Sequence, residues 1–101
     1  MLTSKQRAYL RGLANSYEVI LTVGKGGVID TVIKQADEAL EKRELIKGSV
    51  LETSPESCRE CAEKIAQGAK AEVVQVIGRK FVLYRKNEKE PVIVLPKASK
   101  K

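Results

Sequence analysis

The chain has 101 residues, the length of one small domain, with 43% apolar residues, 32% charged residues and a net charge of +6. That balance is too apolar for a disordered chain, and no run approaches the ~18 apolar residues of a membrane span. With no histidine and only two cysteines, a His-based catalytic triad, a histidine zinc site and a disulfide scaffold are all set aside.

The opening MLTSKQRAYLRG lacks the apolar stretch of a secretory signal, so a cytoplasmic location without a membrane partner is expected. Thr3 and Gln6 make the Thr-x-x-Gln pattern of a helix start. The spacing predicts a short helix to about Ala14, with Tyr9, Leu10 and Leu13 on one side. Arg7 and Arg11, four apart, share another face. EVILTV at 18–23 is a β-branched apolar run and predicts a buried strand. GKGG at 24–27 breaks it. Residues 28–43 return to helical spacing, with Ile29, Val32, Ile33, Ala36, Ala39 and Leu40 as the apolar stripe.

ELIKGSVLE at 44–52 predicts a second strand, with Gly48 marking a bulge. Thr53, Ser54, Pro55 and Glu56 read as the start of a third helix running to 68 or 69. Residues 73–77 and 80–85 are apolar runs joined at Gly78–Arg79, a predicted tight hairpin. A polar turn at 87–90, a short edge strand at 92–95 and a basic tail at 97–101 complete the chain. The order α-β-α-β-α-β-β predicts an α/β two-layer sandwich on a mixed sheet. The β-α-β crossovers favour parallel pairing, and the final hairpin must be antiparallel. Residues 1–96 are expected to form a single domain.

The charge is uneven. Residues 1–27 hold Lys5, Arg7, Arg11 and Lys25 against Glu18, a balance of +3. Residues 28–72 come to −3, and residues 73–101, with only Glu88 and Glu90 as acids, to +6. If folding gathers the two basic ends, they make one positive face suited to a polyanion. The plain alternative is a lysine-rich solubilising surface.

GKGG follows a strand and opens a helix, where glycines let a phosphate approach the backbone and free N–H groups face it. Lys25 at the tip adds a full charge. The Gly-x-x-Gly spacing is that of the loop with which KH domains clamp nucleic acid, and the Walker frame is missing. Cys58 and Cys61 form C-R-E-C. Two further zinc ligands are lacking, and both thiols fall on the apolar stripe of Ala62, Ile65, Ala66 and Ala69, so they read as core. GRKFVLY at 78–84 echoes only part of an aromatic RNA-binding strand. Arg79, Lys80, Arg85 and Lys86 flank that strand and could contact phosphate. No carboxylate pair, nucleophile–base set or cofactor loop stands out, so the chain reads as a non-enzyme without cofactor, metal or small-molecule substrate.

These pieces together resemble the YhbY-type bacterial RNA-binding proteins, the stand-alone form of the CRM domain (chloroplast RNA splicing and ribosome maturation). The resemblance spans residues 1 to about 96. LTSKQRAYLRGLA is similar to the family's first helix, VGKGG to its GxxG loop, ALEKRELIK to the end of its second helix and the next strand, and VIVLP to its ending. VQVIGRKFVLYR is the most specific stretch. One position departs: family members commonly have a β-branched residue after Glu-Leu-Ile-Lys, and this chain has Gly48.

The resemblance implies a fold like the C-terminal domain of translation initiation factor 3. It also implies RNA binding without catalysis, on ribosomal RNA in precursor large subunits. Gly24, Lys25, Gly26 and Gly27 inherit the RNA contact, and Arg7, Arg11, Arg79, Lys80, Arg85 and Lys86 are expected to widen the surface. Two rivals stand beside this reading: a protein-interaction module docking on ribosomal proteins, and a thiol oxidoreductase using Cys58 and Cys61.

Overall fold

A computed structural model describes residues 2–87 and Ile93. The predicted cap opens the first helix. The Thr3 hydroxyl accepts the Gln6 N–H at 3.1 Å, and the Gln6 side chain accepts the Thr3 N–H at 3.1 Å. This reciprocal pair satisfies two donors that the helix itself leaves free and starts α1, Ser4–Ala14. β1 follows at Val19–Val23, α2 at Asp30–Arg43 and β2 at Leu45–Val50. α3 spans Cys58–Ala69, and the hairpin strands are β3, Glu72–Ile77, and β4, Lys80–Tyr84.

The sheet order is β1-β2-β4-β3. β1 pairs parallel to β2, as a crossover through α2 requires, and β4 pairs antiparallel to both β2 and β3. The carboxyl ends of β1, β2 and β3 therefore lie together at one end of the sheet, with the β3–β4 turn and Lys80. This end is called the head, and the other the foot.

α2 and α3 pack on one face. Leu21, Val23, Ile46, Val50, Phe81 and Leu83 from the sheet close a core with Ala36 and Leu40 of α2 and with Cys61, Ala62 and Ile65 of α3. This is the predicted sheet-and-helix sandwich. α1 adds a layer on the opposite face, where Leu10 and Ala14 pack with Leu45, Val74, Val82 and Tyr84. That second core lies toward the foot, so α1 covers only part of its face.

Three local expectations change. α3 does not start at Thr53–Pro55: its N-cap is Ser57, whose hydroxyl accepts the Glu60 N–H at 3.1 Å while Glu60 Oε1 accepts the Ser57 N–H at 3.0 Å. The Ser54 hydroxyl instead accepts the Glu56 N–H at 3.2 Å, holding the preceding turn. Ile29 does not join the stripe of α2; it is the N-cap and is 51% exposed. Gly48 is paired in register with Phe81, and the irregularities lie in the two outer strands: Val19 faces Lys47 and Leu21 faces Gly48, leaving Ile20 extra in β1, and Val73 faces Leu83 and Gln75 faces Val82, leaving Val74 extra in β3. The predicted strand at 92–95 falls outside the described residues.

Glu44, just after α2, has φ of 64° and is fully buried. Its carboxylate accepts the Asn87 N–H and the Ile93 N–H, each at 2.6 Å, and its carbonyl accepts the Arg85 N–H at 2.9 Å. One residue thus ends a helix and fixes the chain that leaves β4.

Candidate nucleic-acid interface

The GKGG loop sits at the head of the sheet. The Val23 carbonyl accepts the Leu51 N–H at 2.8 Å, and the Gly27 N–H donates to the Gly24 carbonyl at 3.0 Å, closing a tight turn. Gly27 is buried with φ of 72°, and a Cβ there would lie 3.1 Å from Glu56 Oε1 and 3.3 Å from Pro55 Cγ. Only glycine meets both demands without strain. Lys25 and Gly26 form the exposed tip. Gly27 is thus the anchor, and the tip is what a ligand can reach.

α2 leaves directly from this loop. Its N-cap Ile29 makes no side-chain cap hydrogen bond, so the first-turn N–H groups and the positive end of the helix dipole face the loop side unblocked by a side-chain oxygen. Two acids temper that field. Asp30 lies in the first turn. Glu56 Oε1 accepts the Val28 N–H at 3.2 Å, while its other oxygen pairs with Lys64.

The predicted basic residues separate into groups. Arg79 and Lys80 are exposed at the head, the same end of the sheet as the loop, with Arg79 3.2 Å from Glu52. Leu2 and Gln6 border a cavity over Tyr84 and Arg85 at the foot. Arg7 and Arg11 lie four apart on α1, and Arg7 reaches the first residues of β3 at the foot. Arg7 also donates to the Val73 carbonyl and lies 3.9 Å from Glu72.

Arg85 and Lys86 lie at the foot, away from the loop. Arg85 is a clamp between helices: Nη1 donates to Asp37 Oδ1 at 2.5 Å and to the Ala69 carbonyl at 2.7 Å, and Nη2 to Glu41 Oε1 at 3.1 Å. Its planar fork suits such a multiple contact, and its side chain is only 19% exposed. Lys47 escaped sequence reasoning because it sits inside a strand. Its ammonium donates to the Ala14 carbonyl at 3.5 Å. It shares a cleft of about 550 Å³ with Lys42, Arg43 and Glu18 at the foot of β1 and β2.

Cys61 is buried and Cys58 half-buried on the α3 stripe. Burial pushes the Cys58 thiol up, and the neighbouring Cys61 adds to that. A redox thiolate needs the opposite shift. Iodoacetamide should therefore alkylate Cys58 more slowly at pH 8 than it does an unfolded peptide of the same sequence; an equal or faster rate would contradict this environment. Among the described residues, no group of three or more His, Cys, Asp or Glu side chains comes together to hold a metal, and no helix is long and apolar enough to cross a membrane.

Residues 2–85 match the family model of the CRS1/YhbY (CRM) domain. The chain is 47% identical over 96 residues to "Probable RNA-binding protein YqeI" of Bacillus subtilis, covering 95% of this chain and 100% of that one. It is 35% identical to an "RNA-binding protein" of Haemophilus influenzae, covering 95% of this chain and 96% of that protein. The solution structure of SAV1595 from Staphylococcus aureus, presented as a candidate RNA-binding protein, superposes with a TM-score of 0.79 at 45% identity, over 95% of this chain and 100% of that one.

Proposed function

The chain belongs to the CRS1/YhbY (CRM) domain family, and from that premise we propose that it is a cytoplasmic RNA-binding protein that acts by binding rather than catalysis, on ribosomal RNA during assembly of the large subunit. The observation that carries the reading is the exposed Lys25–Gly26 tip set against the uncapped start of α2. A phosphate at the tip meets the Lys25 ammonium, nearby backbone N–H groups and the positive helix end together. Arg79 and Lys80 extend the positive charge along the head of the sheet. Such contacts recognise backbone and not base edges, so binding falls as salt rises.

Gly26→Asp is the sharpest single test. No atom lies within 4 Å of a Cβ at Gly26, so the carboxylate fits without repacking and meets the phosphate with like charge. Affinity for precursor ribosomal RNA should drop by about tenfold at low salt, with the circular dichroism spectrum unchanged. Undiminished binding by Gly26→Asp and by Lys25→Ala would remove the loop from the interface. Co-sedimentation with precursor large subunits should disappear after ribonuclease treatment; association that survives digestion favours docking on ribosomal proteins.

A further inference from the structure

α1 covers the foot of its sheet face and leaves the head bare. The register fixes what is left. Thr22, Ser49, Lys80 and Ile77 make one row across all four strands, since Thr22 faces Ser49, Ser49 faces Lys80 and Lys80 faces Ile77. Lys47 and Gln75, both facing Val82 of β4, flank the buried Val82 in the row behind, where α1 begins. Thr22, Ile77 and Lys80 are exposed, and Lys47, Ser49 and Gln75 half-buried. The row spans three strand spacings, about 14 Å.

The chemistry of this floor is selective. The head row carries the Lys80 ammonium and no carboxylate, while the Lys47 ammonium one row back turns to the Ala14 carbonyl. Thr22 Oγ1 and Ser49 Oγ lie 3.5 Å apart, two hydroxyls side by side. The head row carries no aromatic ring: the chain has three tyrosines and one phenylalanine, of which Phe81 and Tyr84 are buried in the cores, Tyr17 is half-buried past the end of α1 in the foot cleft, and Tyr9 lies on α1 itself. A sheet that reads single-stranded RNA does so by stacking bases on aromatic rings, and this one has none to offer. Ammonium, hydroxyl and amide groups on a flat floor suit phosphates and ribose 2′-hydroxyls, which an A-form duplex displays across its wide, shallow minor groove. Lys25 and Arg79 are exposed at the head end of this floor.

We infer that the bare half of the sheet is the seat for double-helical RNA, with Lys80 on its phosphates and Thr22 and Ser49 on its 2′-hydroxyls. The inference deepens the RNA-binding reading and rests on it. The protein then selects helical RNA over single strands, and RNA over DNA, while remaining indifferent to base sequence.

The test compares a short RNA duplex, a DNA duplex of the same sequence and the separate RNA strands, at two salt concentrations. The wild-type protein should bind the RNA duplex tightest, by about tenfold or more. Thr22→Val with Ser49→Val removes hydroxyls from strand positions that favour valine, and should bring RNA and DNA duplexes to near parity. Lys80→Gln should weaken duplex binding and reduce its salt slope by about one contact. Single strands binding as tightly as the duplex would overturn the inference. So would floor variants with no effect beside a weakened Gly26→Asp, which would leave the loop as the site alone. Weakened floor variants beside an unaffected Gly26→Asp would instead retain the floor and remove the loop.

Discussion

Replacing Gly48 with valine should destabilise the fold by about 3 kcal/mol, the upper range for overpacking a close-fitted core. The fully buried Phe81 ring lies directly over the Gly48 backbone. A Cβ there would stand 2.3 Å from Phe81 Cζ, 2.7 Å from Cε1 and 2.9 Å from Cε2. Neither side can give way. The ring is walled by α2 and α3 in the main core, and the strand is paired on both sides by β1 and β4. An aromatic residue laid across a strand glycine supplies the side-chain contact that the glycine lacks. Alanine should already cost about 1–3 kcal/mol in urea unfolding. Combined with Phe81→Leu, it should cost less than the two single changes summed, because a smaller side chain vacates the space. A neutral Gly48→Ala would show that the ring is free to move.

Glu44→Ala should cost a similar amount, about 3 kcal/mol, through a different cause. The carboxylate is fully buried and each oxygen accepts a backbone N–H at 2.6 Å, from Asn87 and from Ile93. Truncation leaves those donors without their acceptor, at about 1–3 kcal/mol for each buried group. Glu44→Gln separates charge from shape: one oxygen remains, while the new NH2 group turns a donor toward a donor. It should therefore be destabilised too, by about 2 kcal/mol. Glu44→Gly relieves the backbone at φ of 64° and should fall between wild type and alanine, since the relief offsets part of the loss. Hydrogen exchange at the Asn87 and Ile93 amides should accelerate in all three variants relative to amides in β4. Exchange unchanged at those amides would mean that the carboxylate does not hold them.

What the sequence makes legible follows from its local physics. The Thr3–Gln6 cap, the GKGG break and the Gly78–Arg79 turn are signals a few residues wide, and each stands where its pattern predicts. The α3 start illustrates a competition between signals. Thr53, Ser54 and Pro55 all look like a helix opening, yet Ser57 and Glu60 form the complete reciprocal cap, and the earlier Ser54 is used by the turn. The Ser57-x-x-Glu60 spacing was readable and outranked by the proline. Other features have no local signature. Nothing near Gly48 announces a ring 33 positions later in the chain. Arg85 reads as a free cation until Asp37, Glu41 and Ala69 are brought to it from two helices. The bare floor depends on α1 crossing the sheet from β3 to β2 over the foot, which no local pattern announces.

The extra residue at Ile20 falls on an outer strand, which presents its unused N–H and C=O groups to the surroundings. An evenly spaced ladder there would invite the same strand of another molecule to add itself, and the next to follow. With Val19 and Leu21 out of step by one position, the donors and acceptors of an incoming strand meet no continuous match. The shift thus works against edge-to-edge pairing along β1.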